Sequence, residues 1–291
     1  MSDNASYPAL ISPQALNNAL DRPEEHCVVL DGSWYMPMEK RNPRAECDER
    51  RLPGARFFDI DAVSDPDAKF PHTIPSEAWF AESVSQLGIT HASRVIVYDG
   101  AGLFSAARVW WMFRLFGHDR VQVLDGGLPG WVAAGYELTK GTGDDRMNDT
   151  DSSSGFNARI NPEMVANMED MLNNCTTNQA RVLDARSKER FQGRAPEPRP
   201  GLPSGHMPGA TSLPFVELLS QGRLRPVNEL QSIFQQLGID QGTPVITSCG
   251  SGVTAAIITL AMTLCGLPIN RLYDGSWSEW AAHETNPVVT D

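Results

Sequence analysis

Two stretches of the chain carry one pattern. Arg94-Val95-Ile96-Val97-Tyr98-Asp99-Gly100-Ala101-Gly102 aligns with Pro244-Val245-Ile246-Thr247-Ser248-Cys249-Gly250-Ser251-Gly252 at a separation of 150 positions. Gln86-Leu87-Gly88-Ile89 returns as Gln236-Leu237-Gly238-Ile239 at the same separation, and Asp125-Gly126 with Trp131 returns as Asp274-Gly275 with Trp280 at 149. Upstream, Pro53-Gly54-Ala55 returns as Pro208-Gly209-Ala210, and Val29-Leu30-Asp31 as Val182-Leu183-Asp184. Blocks that keep both order and spacing mean one fold used twice. The 291 residues suffice for two domains of roughly 150 residues each. A Gly/Ser/Asp run at 141–158 is too polar to build a core. The expected organisation is therefore a first domain at 1–140, a linker at 141–158 and a second domain at 159–291.

Within each half, short β-rich apolar runs (27–30, 95–98 and 121–124, then 181–183, 245–247 and 271–273) are bounded by Asp, Gly or Pro and read as strands. Between them, 104–116 and 254–265 read as helices stopped by Gly117 and Gly266. Strands alternating with helices predict an α/β fold, with a parallel sheet flanked by helices in each half. Ligands of such sheets sit beyond the carboxyl ends of the strands, in the strand-to-helix loops.

Composition narrows the partners. Lys and Arg number 24 against 36 Asp and Glu, a formal net charge of −12. That surface repels nucleic acid and anionic lipid. No stretch approaches a membrane-spanning apolar run, and the first seven residues lack the basic-then-apolar pattern of a secretory signal, so a cytoplasmic chain is expected. Cys27, Cys47, Cys175, Cys249 and Cys265 form an odd, widely spaced set without a C-x-x-C pair, which argues against a disulfide framework and a zinc site. Neither a metal nor a cofactor is expected. Cys265 lies on an apolar helix face and reads as core, Cys27 starts a buried strand, and Cys47, among the charges of 41–51, reads as exposed. Cys175 has no supporting spacing.

The two glycine-rich loops differ at their first position, Asp99 against Cys249. In Cys249-Gly250-Ser251-Gly252-Val253-Thr254 a cysteine ends a strand, and the glycines let several backbone N–H groups turn inward before the next helix begins. That cradle and the helix N-terminus favour a negative charge, hence a thiolate nucleophile at Cys249. The competing reading is a small core cysteine at a strand end. A tyrosine-phosphatase loop would need arginine at the end of C-x5-R, and Ala255 stands there.

The tandem halves, the loop above, the segment Asp184-Ala185-Arg186-Ser187-Lys188-Glu189-Arg190-Phe191-Gln192-Gly193-Arg194-Ala195-Pro196-Glu197-Pro198-Arg199 and Gly205-His206-Met207-Pro208-Gly209-Ala210 together resemble the tandem-rhodanese sulfurtransferases. The likeness spans nearly the whole chain. In thiosulfate-specific members the two positions after the cysteine are typically basic; in mercaptopyruvate-using members they are glycine and serine or threonine, as Gly250 and Ser251 are here. The resemblance implies a ping-pong reaction. Cys249 takes sulfur from 3-mercaptopyruvate as a persulfide, releasing pyruvate, and a thiol acceptor such as thioredoxin, or cyanide, collects the sulfur. Thiosulfate:cyanide transfer and a non-catalytic binding or regulatory role remain the alternatives.

The resemblance also implies site residues. Arg190 and Arg199 fall on the arginines that hold the substrate carboxylate, a task suited to the planar guanidinium fork. Gly250, Gly252, Val253 and Thr254 join them as substrate-binding loop residues. Arg186 and Arg194 are expected to be scaffold or surface. Asp61 and His72 fall on positions proposed to form a proton relay with Ser251, because a carboxylate-oriented histidine can shuttle a proton near neutral pH. An ordinary structural histidine is the other reading of His72.

Overall fold

The computed structural model describes residues 7–141 and 155–291, so 142–154 of the expected linker lie outside the described residues. Twelve strands are present among them: β1 (Leu10–Ile11), β2 (Cys27–Asp31), β3 (Arg56–Phe57), β4 (Arg94–Tyr98), β5 (Val121–Leu124), β6 (Val165–Ala166), β7 (Arg181–Asp184), β8 (Ala210–Ser212), β9 (Leu219–Ser220), β10 (Arg223–Leu224), β11 (Val245–Ser248) and β12 (Arg271–Tyr273). One five-stranded sheet has the order β1-β5-β4-β2-β3, the other β6-β12-β11-β7-β8, and β9 and β10 form a small two-stranded sheet. All pairings within the two large sheets are parallel. Replacing each strand of the first sheet by its repeat partner reproduces the order of the second, so the duplication read from sequence is a duplicated topology.

The middle strand of each sheet explains the sequence signal. Val95, Ile96, Val97 and Tyr98 of β4 are wholly buried. A parallel strand covered on both faces reads as a continuous apolar run rather than an alternating one. The helix Ala106–Leu115 follows β4, with every residue buried except Arg114, and Ala255–Leu264 follows β11 with its first eight residues buried. Both helices terminate at the predicted glycines, Gly117 at φ +83° and Gly266 at φ +68°, the left-handed conformation that glycine adopts at no steric cost. Equivalent tryptophans close the two cores. Trp131 packs with Val29, Ile96 and Tyr98, and Trp280 with Val182, Ile246 and Tyr273. Each satisfies its indole N–H on a backbone carbonyl, Glu137 O at 2.8 Å and Pro287 O at 3.0 Å.

The first compact unit runs up to Pro66, then Pro75–Ile160 and Gln221–Arg223; the second holds Asp67–Ile74, Asn161–Ser220 and Leu224–Asp291. Each unit thus contains a short segment encoded in the opposite half of the sequence. Composition carries no sign of that exchange. At the far end of the expected linker, Phe156 is buried in the first unit against Phe80, Phe113 and His118, with ring centroids 5.7, 6.1 and 5.5 Å away. No helix among the described residues is long and apolar enough to cross a membrane.

One correction concerns Cys47. The charged surroundings suggested exposure, but its residue is only 2% exposed. It is the one buried position of the helix Pro43–Glu49, so the charges of that segment lie on the outer faces and the thiol points in.

Burial also sets a pH response in the first unit. The His118 ring is 1% exposed, and desolvation, then the neighbouring His91, push its pKa down from 6.5 to about 4. The folded state keeps His118 neutral while the unfolded chain protonates near 6.5, so this contribution is fully present above 6.5 and is lost as pH falls toward 4. The loss amounts to about 3 kcal/mol at most. Urea unfolding followed from pH 7 to pH 4 should show it, and His118→Phe should flatten that part of the profile; an unchanged slope would remove His118 as its source.

Candidate functional site

β11 delivers Cys249 at its carboxyl end, and the chain then turns within six residues into the helix Ala255–Leu264. Gly252 sits at φ +79°, so the left-handed step that the loop needs falls on a glycine. The Cys249–Gly250 backbone is held from the opposite side by 276–278. Ser276 Oγ accepts the Cys249 N–H at 3.3 Å and donates to Tyr273 O at 2.8 Å. Trp277 N donates to Cys249 O at 2.9 Å, and Ser278 donates to Gly250 O from both its N (3.0 Å) and its Oγ (2.6 Å). Ser276 adopts φ +49°, a strained conformation for a non-glycine residue. Cys249 itself is 2% exposed.

The equivalent loop of the first unit shows what such a turn accommodates. Asp99 Oδ1 accepts the N–H of Ala101 at 3.0 Å, while Oδ2 accepts those of Phe104 (2.7 Å), Ser105 (2.9 Å) and Ala106 (2.9 Å). A carboxylate here fills a nest of backbone donors at a helix N-terminus. The repeat separation drops from 150 at Asp99/Cys249 to 149 at the helix starts Ala106 and Ala255, so the Cys249 loop is one residue tighter. The N–H groups at the repeat-related positions are those of Ser251, Val253, Thr254 and Ala255.

Two guanidinium groups meet this loop at Gly250. A Cβ placed there would lie 3.2 Å from Arg190 Nη2 and 3.8 Å from Arg199 Nη1. A side chain at this position would therefore press on Arg190, which would have to give by a few tenths of an ångström. Arg190 starts from the short helix Lys188–Phe191, capped by Ser187. Its Nε and Nη2 donate to Glu197 Oε1 and Oε2 at 3.1 and 2.5 Å. Arg199 Nη2 donates to Ser251 Oγ at 3.3 Å. The other two arginines behave as expected. Arg186 is buried scaffold, bonded to Asp184, Glu197 and Gly205 O and lying 4.1 Å over the Trp277 ring, whereas Arg194 is exposed.

His72 belongs to the same unit as Cys249 although its sequence lies in the first half. Its Nδ1 is 2.8 Å from Ser251 Oγ, and its ring is buried. The backbone reaches that position at φ +62°, a cost that neighbouring contacts must offset. One such contact is Asp274, whose Oδ2 accepts the Ile74 N–H at 2.8 Å. Cys249, Gly250, Ser251, Arg190, Arg199 and His72 are thus assembled in one unit. Asp61 belongs to the other unit, exposed, with Oδ2 accepting the Trp34 Nε1–H at 3.1 Å. Among the other thiols, burial pushes the pKa of Cys27, Cys47 and Cys175 up and that of Cys265 to about 11. Cys265 is half-buried rather than core.

Comparison with known proteins agrees with this geometry. The model of the Rhodanese-like domain matches residues 12–134 and again 165–283. The chain belongs to the rhodanese family. A 3-mercaptopyruvate sulfurtransferase of Rattus norvegicus is 42% identical over 279 residues, covering 94% of this chain and 92% of that protein. Thiosulfate/3-mercaptopyruvate sulfurtransferase 1, mitochondrial, of Arabidopsis thaliana is 43% identical over 281 residues, covering 91% and 74%. Among solved structures, SseA from Escherichia coli, described as a 3-mercaptopyruvate sulfotransferase, superimposes with a TM-score of 0.81 at 38% identity, over 94% of this chain and all of that one.

Sequence reading missed three members of this rhodanese site. Glu197 lies between the arginines it was read with, but nothing in spacing shows which of them it binds. Asp274 had a signal: its repeat partner Asp125 likewise holds a segment from the opposite half, accepting from Arg223 Nη1 at 2.8 Å. Ser276 stands where the first half has Gly127, at φ +52°, and only structure reveals that its hydroxyl reaches Cys249.

The Asp99 nest yields a test within the first rhodanese unit. Asp99→Asn keeps the shape but removes the charge and turns a donor toward the N–H groups. A loss of about 2 kcal/mol in unfolding free energy is expected, read by urea denaturation. A neutral outcome would mean that the nest does not require an anion.

Proposed function

We propose that the chain is a sulfurtransferase that moves sulfur from 3-mercaptopyruvate through a Cys249 persulfide to a thiol acceptor, releasing pyruvate. The observation that carries this reading is the convergence of Arg190 and Arg199 on Gly250, beside the only cysteine set in a rhodanese loop. Two guanidinium groups next to a nucleophilic sulfur suit a donor whose carboxylate and transferable sulfur lie a few bonds apart.

In the first half-reaction the Cys249 thiolate attacks the donor sulfur, forming an S–S bond. The C–S bond breaks, and its electron pair passes to the carbon skeleton as the enolate of pyruvate. Protonation at carbon completes pyruvate, and the Ser251–His72 pair, 2.8 Å apart, is the proton source assigned here. The loop N–H groups stabilise first the thiolate and then the persulfide. In the second half-reaction an acceptor thiolate attacks the outer sulfur, and the electron pair of the broken S–S bond returns to Cys249. Thioredoxin is such an acceptor, and cyanide takes the same sulfur as thiocyanate. The partners are then a small anionic donor and a thiol, with no role for nucleic acid or membrane at a net charge of −12. Five free cysteines suit the reducing cytoplasm.

Thiosulfate is the second donor to weigh, since the Arabidopsis relative carries both donors in its name. A donor panel at equal concentration, read by intact mass, should add one sulfur to the wild-type chain and none to Cys249→Ser. A kcat/KM favouring thiosulfate would overturn the donor assignment, and sulfur transfer undiminished in Cys249→Ser would overturn the enzyme reading altogether. Arg190→Gln or Arg199→Gln should raise KM for mercaptopyruvate roughly ten- to hundred-fold while leaving Cys249 alkylation by iodoacetamide near the wild-type rate; parallel losses in both would assign the arginines a structural role.

A further inference from the structure

The function proposed above uses Arg190 without saying what decides which of its edges faces the donor. Glu197 decides it. Its side chain is only 3% exposed, and it is gripped from behind by Arg186, whose Nη1 donates to Oε1 at 2.8 Å. Arg186 cannot yield, because Asp184, Gly205 O and the Trp277 ring hold the rest of its guanidinium. Glu197 is thus a fixed carboxylate facing Arg190 with both oxygens. It takes the Nε and one Nη2 proton of that arginine. What remains is Nη1 and the outer Nη2 proton, and Nη2 is the atom that lies against Gly250.

The same contact sets charge. Asp184, Arg186, Glu197 and Arg190 carry formal charges that cancel in sequence along the chain of bonds from β7 to the loop. Removing the Glu197 charge would raise the potential at Arg190 by one increment for every donor. A dianion would gain twice what a monoanion gains. At neutral pH 3-mercaptopyruvate with its thiol protonated is a monoanion, and thiosulfate is a dianion.

We infer that Glu197 is a positioning and specificity-determining residue: it aims the outer edge of Arg190 at the Cys249 loop and biases donor choice toward a monoanionic carboxylate. This rests on the mercaptopyruvate reading, and the two are separated by what is measured. The wild-type ratio of kcat/KM for mercaptopyruvate to that for thiosulfate tests the reading. The change in that ratio between wild type and variant tests Glu197.

Glu197→Gln should shift the ratio toward thiosulfate by roughly tenfold, chiefly through a lower KM for thiosulfate, with iodoacetamide alkylation of Cys249 unchanged. Glu197→Asp keeps the charge and withdraws it by one methylene, so it should raise KM for both donors and leave their ratio near the wild-type value. In the Arg190→Gln background the further Glu197→Gln change should shift the ratio clearly less, because the part that acts through Arg190 is gone and only the field of the charge on the donor remains. A ratio unaltered in folded Glu197→Gln, or altered equally with and without Arg190, would overturn the inference. Should Glu197→Gln fail to fold, Glu197→Asp still decides: a fall in kcat and in alkylation rate with KM unchanged marks a purely structural role and overturns it.

Discussion

A strand that turns at once into a helix leaves several backbone N–H groups aimed at one small volume, and in both units the surroundings are arranged for whatever fills it. In the first unit the occupant is the Asp99 carboxylate, with four N–H groups bound to it. In the second the Cys249 side chain stands at the repeat-related position. The donors around Asp99 come from the backbone and not from side chains. What differs is the shell around the loop: Arg190 and Arg199 over Gly250, and Ser251 paired with His72. The proposed sulfur chemistry falls to one half of a duplicated fold because there these side chains meet the loop that carries a thiol.

The second unit holds its parts by bonds that are individually ordinary and collectively restrictive. His72 is kept at a positive φ by a side-chain bond to Ser251 on one side and by the Asp274 grip on Ile74 on the other. The first unit repeats the device with Asp125 and Arg223. An aspartate following the last sheet strand thus serves in each copy as the anchor for a segment from the other half of the chain. The two halves could not be cut apart at the linker without removing a residue that the second one uses.

Much of this was legible in advance. The central strands are continuous apolar runs because both their faces are covered, and the duplication made each prediction twice. Edge strands such as β1, β3 and β6 are two residues long, too short for any periodicity, and escaped notice. Cys47 was misread because a helix of seven residues can turn one side chain inward while every neighbour in sequence is charged. Among the site residues, Cys249 announced itself through the difference between two otherwise matching loops. Arg190 and Arg199 needed the family resemblance, since a run holding Arg186, Arg190, Arg194 and Arg199 does not reveal which are sequestered by carboxylates. Glu197 and Ser276 could not be assigned from sequence at all: the first is defined by two bonds across a turn, and the second by a hydroxyl reaching back from a strained backbone.

The Asp99 loop has one further consequence. In an aspartate the charged oxygens lie two bonds beyond Cβ, and in a cysteine persulfide the terminal, charged sulfur also lies two bonds beyond Cβ. The first unit therefore carries, permanently and in carbon and oxygen, an outline of the intermediate that the second would form only in passing. A thiolate is one bond shorter, and the Cys249 turn is one residue tighter than the Asp99 turn. The Asp99 half is in that sense a standing template: its carboxylate holds a negative charge at the same number of bonds from Cβ as a sulfur-loaded cysteine would.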